Sequence, residues 1–408
     1  MKREFTLFTA LIMSTLFWQC IGDYSVAPTP GISRDLTPLE KKLVEADEKF
    51  GLKLFHQVVQ SEPNKNVFIS PLSVSMALGM TYNGAAGTTE EAMRQVLEFG
   101  DLSLEEINES FQSLIALLIK LDPRVRFDIA NSIWYRLGFV VEQDFIDVNQ
   151  TYFDAEVKGL DFSSPDAIDV INGWVDQNTN GKIEEIIDSI NPLTVMFLIN
   201  AIYFKGTWTY EFDKDLTTDD LFTTPDGSQI PCKMMNQEGE FLYLETDDFQ
   251  AVDLLYGDKC FSMTIFLPKP GKSVDSLIAQ FTPENWTGWI GNLSKASLNL
   301  QFPKFKLEYE IKLNDVLQAL GMGICFDPGQ ADFSKMNRDF DLFIDQVKHK
   351  TFVEVDEEGT EAAAVTAVEI RLTSTGSVMR VDRPFVFVIR ENQSNTLLFM
   401  GKIVAPEA

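Results

Sequence analysis

The sequence predicts an α+β fold, and three observations carry that prediction. Helical apolar spacing appears near 38–60, at 71–82 and again at 104–120. Strand-like runs gather separately, around 195–205, 252–267 and 381–404. Blocks of this kind differ from the regular strand–helix alternation of a βαβ chain. Finally, 45% of the 408 residues are hydrophobic, ample for one large core, and no linker or internal repeat divides the chain.

At the amino terminus, residues 1–22 read as a processing segment and not as part of the fold. Lys2 and Arg3 precede an apolar run from Phe5 to Trp18, which is short for a membrane span and suited to a signal peptide. Two exits are open. Leu16-Phe17-Trp18-Gln19-Cys20 resembles a bacterial lipoprotein box, which would lipidate Cys20 and anchor the chain to a membrane. In the alternative, Cys20 and Gly22 sit at minus three and minus one of an ordinary cleavage before Asp23. Residues 23–37 contain Pro and Gly and read as a tether, leaving 38–408 as the folded domain. Either exit implies export, as a secreted protein or as a bacterial cell-surface lipoprotein.

Charge and residue counts exclude several function classes. With 61 acids against 34 bases the formal charge is −27, so nucleic acid and other polyanions would be repelled. Cys232, Cys260 and Cys325 are an odd set without paired spacing, which supports no disulfide framework. His56 and His349 are far apart and no Cys-x-x-Cys occurs, so neither a metal nor any other cofactor is expected. A serine hydrolase would need a Gly-x-Ser-x-Gly elbow, which is missing, and the chain is not read as an enzyme. Five Asn-x-Ser/Thr sequons, at Asn108, Asn149, Asn285, Asn292 and Asn392, would be glycan acceptors in a eukaryotic host.

The most informative stretch is Glu357-Glu358-Gly359-Thr360-Glu361-Ala362-Ala363-Ala364-Val365-Thr366. Its alanines favour helix, but the pattern that follows has a period of two. Thr360, Ala362, Ala364, Thr366, Val368, Ile370 and Leu372 form an uncharged set, and the interleaved set holds Glu361, Glu369 and Arg371. That is the pattern of a half-buried strand. The segment is therefore suited to being a loop in one state and a strand in another.

This stretch resembles the reactive-loop hinge of inhibitory serpins. Other segments follow in serpin order: NVFISPLSVSMALGM at 66–80, NGAAGTT at 83–89, IANSIWY at 129–135 and FLINAIYFKGTW at 197–208. FPKFKLEYE at 302–310, DRPFVFVIRE at 382–391 and LFMGKIVAP at 398–406 continue the series. The resemblance spans about 370 residues, from near Leu36 to the carboxyl terminus. It implies three β-sheets, about nine helices and an exposed reactive-centre loop at about 357–383. It also implies a monomeric, metastable suicide-substrate inhibitor of serine proteases, and of cysteine proteases in some cases. The alternative is a non-inhibitory carrier, storage protein or chaperone.

Residue roles follow from the same resemblance. Glu357, Gly359, Thr360, Ala362, Ala363, Ala364 and Thr366 match the hinge. Ser70, Ser73, Asn200 and His349 match a polar cluster beneath the gap where the loop inserts, and Trp208 matches a tryptophan where insertion begins. Counting from Gly359 and back from Pro384 converges on Thr373, so Thr373-Ser374 is the expected reactive bond. Threonine suits elastase-like or subtilisin-like proteases, with Leu372 and Arg371 as neighbouring choices. The segment 101–122, where a heparin-binding helix would lie, has several acids against the single Lys120, so no heparin-like cofactor is expected.

Overall fold

A computed structural model describes residues 34–360 and 377–407. Among these are nine α-helices and two hydrogen-bonded sheets. One sheet has six strands, in the order Phe305–Lys312, Lys348–Val355, Gly359–Thr360, Met196–Thr207, Val125–Arg136 and Glu156–Leu160. The other has nine. Two of the three expected strand sets merge in it because Gln229–Glu245, 17 residues long, belongs to both. Its first part pairs with Thr218–Thr223, its middle with Ser294–Pro303 and its end with Phe249–Tyr256.

Local chemistry sets the helix starts. Thr37 accepts from Glu40 N while the Glu40 side chain reaches back to Thr37 N, a capping box with Pro38 in the first turn. Ser103 and Glu106 repeat the device at Leu104–Leu118. Ser70 caps Pro71–Tyr82, a helix buried on nearly every side and therefore apolar all round.

The six-stranded sheet separates two cores. Most of the large apolar core lies on one face, where Leu198, Ile202 and Phe204 of Met196–Thr207 point. The other face carries helix Ala167–Asn178 over a smaller cluster that includes Trp134, Ile171, Val175, Ile183, Ile187 and Ile199. The alternation along one strand, with Leu198 on the first face and Ile199 on the second, is the pleat that the period of two requires.

Two of the five sequons are closed off. Asn108 and Asn149 are buried, and with Asn83 they form an amide network. Asn108 Nδ2 donates to Asn83 Oδ1 at 2.8 Å, and Asn83 Nδ2 donates to Asn108 Oδ1 at 3.1 Å and to Asn149 Oδ1 at 3.4 Å. The reading of these two as glycan acceptors is corrected accordingly, because a glycosylated amide would have no room there.

Candidate functional site

The strand Lys348–Val355 ends in a turn whose geometry is set by Asp356 and Gly359. Asp356 Oδ1 accepts from Glu358 N at 2.9 Å and from Gly359 N at 3.2 Å, closing an Asx-type turn. Gly359 has φ +150°, and a Cβ on it would lie 2.2 Å from the Gly206 carbonyl oxygen, so only glycine fits.

Both acids before this glycine are pinned. Glu357 accepts from Lys304 Nζ and Thr217 Oγ1, each at 2.7 Å, and Glu358 pairs with Lys214. Burial pushes the Glu357 carboxyl up, but the bonds from Lys304 and Thr217 outweigh it and hold it below the usual range. Trp208 closes the turn from the other side, its Nε1 donating to Asp356 O at 3.0 Å and its backbone N to Glu358 O at 2.9 Å. Its indole stacks on Tyr256, whose hydroxyl is 2.7 Å from Thr360 Oγ1. Thr360 is thus already in the sheet, side chain toward the core.

Thr360 pairs with Val355 on one side and with Gly206 on the other. Away from this point the two flanking strands have no strand between them among the described residues, and a cavity of about 510 Å³ opens. Leu78, Ile187, Phe197, Met336, Phe340 and Ile344 give it a largely apolar wall. Six residues back from this pairing on each flanking strand, His349 and Asn200 stand at matching positions across the gap. Six residues further, Thr194 and Phe343 match in the same way and line the far end of the cavity.

The structure brings Ser70, Ser73 and His349 together. Ser70 N donates to His349 Nε2 at 2.9 Å, Ser70 Oγ donates to Leu398 O at 2.7 Å, and Ser73 N donates to Ser70 Oγ at 3.2 Å. Because Nε2 accepts, the ring is neutral with its hydrogen on Nδ1. Burial lowers its pKa to about 4. Asn200 stands on the other flanking strand and does not join this cluster. Its Nδ2 donates to Asn131 Oδ1 at 2.8 Å, and its Oδ1 is buried without a hydrogen-bond partner among the described residues.

A strap crosses the outer face of the gap. After helix Ala167–Asn178, Asn172 fixes residues 186–187, accepting from Ile186 N and Ile187 N at 3.0 Å each and donating to Ile187 O at 2.8 Å. Two ion pairs then reach the far strand: Lys348 Nζ to Asp188 at 3.0 Å and Lys182 Nζ to Glu354 at 3.8 Å. Lys182 also lies 4.8 Å from the centre of the Phe352 ring. A strand entering the gap has to pass beneath this strap.

Cys20, Ala362, Ala363, Ala364, Thr366, Arg371, Leu372, Thr373 and Ser374 lie outside the described residues. Sequence reasoning missed Lys304, Lys214, Thr217 and Tyr256, which hold the hinge from distant elements. It also missed Asn131 and the strap. No local signal marks Lys304, which links the strands Ser294–Pro303 and Phe305–Lys312, or Tyr256, an ordinary strand residue until the fold brings it to the turn.

The family model described as Serpin (serine protease inhibitor) matches residues 45–406. The chain belongs to the serpin family. Among curated relatives, a serpin-like protein of Thermococcus kodakarensis is 34% identical, with 94% of this chain and 90% of that protein aligned. The leukocyte elastase inhibitor of Equus caballus is 36% identical over 90% of this chain and all of that protein. Among solved structures, the thermophilic serpin tengpin in its native state aligns with a TM-score of 0.82 at 32% identity, covering 93% of this serpin and 97% of tengpin. Human thyroxine-binding globulin complexed with thyroxine aligns at 0.84 and 29%, covering 91% of this serpin and all of that chain.

Proposed function

We propose that this serpin is a suicide-substrate inhibitor of serine proteases, acting outside the cytoplasm as a secreted or lipid-anchored protein. One observation carries the reading: Thr360 already occupies the first place in a gap whose register would receive the uncharged set 362–372 toward the core. The protease serine attacks the carbonyl carbon of Thr373, an ester forms and the amine of Ser374 leaves. The freed segment Thr360–Leu372, at about 3.3 Å per residue, spans roughly 43 Å as a strand. Its entry carries the attached protease across the molecule and distorts the catalytic site before water can cleave the ester. The driving force is strand addition, in which the unpaired N–H and C=O groups lining the gap gain partners from the incoming segment.

Support for the elastase-like or subtilisin-like choice comes from threonine at the bond and from similarity to a leukocyte elastase inhibitor. The carrier reading is favoured by the likeness to thyroxine-binding globulin. The two separate on a denaturing gel. Residues 23–408 mixed with an elastase-like or subtilisin-like protease should give a boiling-resistant band at the summed mass, with a released peptide beginning at Ser374. Clean cleavage without that band, across trypsin-like and chymotrypsin-like enzymes too, would move the carrier reading ahead.

A further inference from the structure

We propose that Tyr256 is the positioning residue for strand entry: its buried hydroxyl seats Thr360 in the sheet before cleavage and fixes the register in which the following segment inserts. The role rests on the inhibitory reading. Backbone pairing alone is a short guide here, because the strand Gly359–Thr360 has only two residues. A slip of one residue would turn the set holding Glu361, Glu369 and Arg371 toward the core. The hydroxyl discriminates against that slip. Thr360 Oγ1 meets it at 2.7 Å, whereas Gly359 has no side chain and Glu361 would bring a charge into the core.

Tyr256 is held too firmly to follow a misplaced partner. It ends the strand Phe249–Tyr256 of the nine-stranded sheet, where it pairs with Phe261 and bridges to Trp208. Its fully buried ring lies 4.4 Å from the Trp208 indole at 15° and meets Phe204 edge-on at 5.1 Å. Gly206, which pairs with Thr360, also makes room for the ring, since a Cβ there would lie 2.7 Å from Tyr256 Cδ1. Burial pushes the phenol pKa up, so the hydroxyl stays un-ionised.

The two hydroxyls are therefore a matched pair. Losing either one leaves the other buried and unpaired while the seat is filled, which favours an empty seat. Replacing both by apolar groups of the same shape leaves no orphan, so the double change should be close to neutral. After cleavage, a segment whose first residue is already seated enters from a formed register. A segment starting from an empty seat must first find that register, which gives water more time to cleave the ester.

Tyr256→Phe, Thr360→Val and the double variant test the pair. In the intact proteins, amide hydrogen exchange at residues 359–360 reports how often the seat is empty. Each single variant should exchange about twofold to tenfold faster than wild type, the range that one net hydrogen bond spans. The double variant should return to within about twofold of wild type. With a serine protease that wild type traps, the ratio of covalent complex to cleaved serpin should fall by a similar factor in each single variant and recover in the double. A role confined to stabilising the native fold predicts the opposite sign, because a loosened sheet opens sooner and traps better. Unchanged exchange in Tyr256→Phe would overturn the proposal, as would single effects that add in the double variant. Exchange that follows the expected pattern beside an unchanged ratio would overturn the role in insertion. If wild type traps no protease, the inhibitory reading fails, and the exchange pattern alone decides whether the hydroxyl pair seats Thr360.

Discussion

Gly359 is the residue at which the hinge is least replaceable. Gly359→Ala would place a methyl group against the Gly206 carbonyl and strain the backbone, at a cost of roughly 1–3 kcal/mol. A lower urea midpoint with an unchanged slope is the expected observation. Thr360→Arg should leave cleavage intact and abolish the covalent complex, because a charged side chain cannot keep the buried place beside Tyr256 that Thr360 already fills, and insertion would lose its first step. Stoichiometric trapping by that variant would sink the hinge account.

His349 has a pH signature. Its pKa is about 4 folded against about 6.5 in an unfolded chain, so the unfolded state binds more protons between those values. The stabilisation from neutral His349 is therefore present above pH 6.5 and lost as pH falls toward 4, about 3 kcal/mol in all. Asp47, buried and raised to about 7, slopes the opposite way over an overlapping window. The measurement is consequently a difference: the stability of wild type minus His349→Gln, followed by urea unfolding, should shrink between pH 6.5 and 4. Of these residues, glycine and threonine were legible in the sequence because the hinge has its own local pattern. Asp47 was not, since only the contact with Ser75 and the surrounding core give it meaning.

Elements were legible where their chemistry is local. Pro38–Ser61, Pro71–Tyr82 and Leu104–Leu118 begin at capping residues that the sequence spells out, and their spans follow the expected ones closely. The run at 252–267 resolves into the two strands of a hairpin, Phe249–Tyr256 and Phe261–Pro268. Sheet membership was beyond local pattern, because Gln229–Glu245 bends through three sets of partners that lie far apart in the chain. The strap was missed for the same reason: its clasp joins residue 188 to residue 348. Asp188→Asn should loosen that clasp and quicken insertion about twofold to fivefold, the scale of a partly exposed ion pair. Stopped-flow fluorescence after cleavage would measure it, and added salt should narrow the difference between variant and wild type.

At the scale of the whole molecule, the inhibitory reading proposed above requires the open gap to be a fold that has not reached its lowest arrangement. Intact protein should unfold at a clearly lower temperature than protein nicked at the reactive bond, whose inserted strand would fill the gap and satisfy both flanking strands. Scanning calorimetry of the two forms checks this, and coincident transitions would remove the case for a kinetically withheld state. A solved relative, tengpin, has been described in both a native and a latent state, with this serpin aligning to them at TM-scores of 0.82 and 0.80. The family and its architecture were legible because many segments occur in one order. The gap was legible only as a periodicity, since its dimensions depend on two strands, Met196–Thr207 and Lys348–Val355, that lie far apart in the chain.

The Asn83–Asn108–Asn149 network has a practical consequence for making the protein. Oligosaccharide transfer in a eukaryotic secretory pathway acts on nascent chains, before distant helices close over their sequons. A glycan placed on Asn108 or Asn149 at that stage would wedge open the packing between helices Leu104–Leu118 and Gln143–Phe153. Material recovered from such a host would then be sorted by its sugars: folded molecules would carry them only at Asn285, Asn292 or Asn392, and the misglycosylated fraction would be retained.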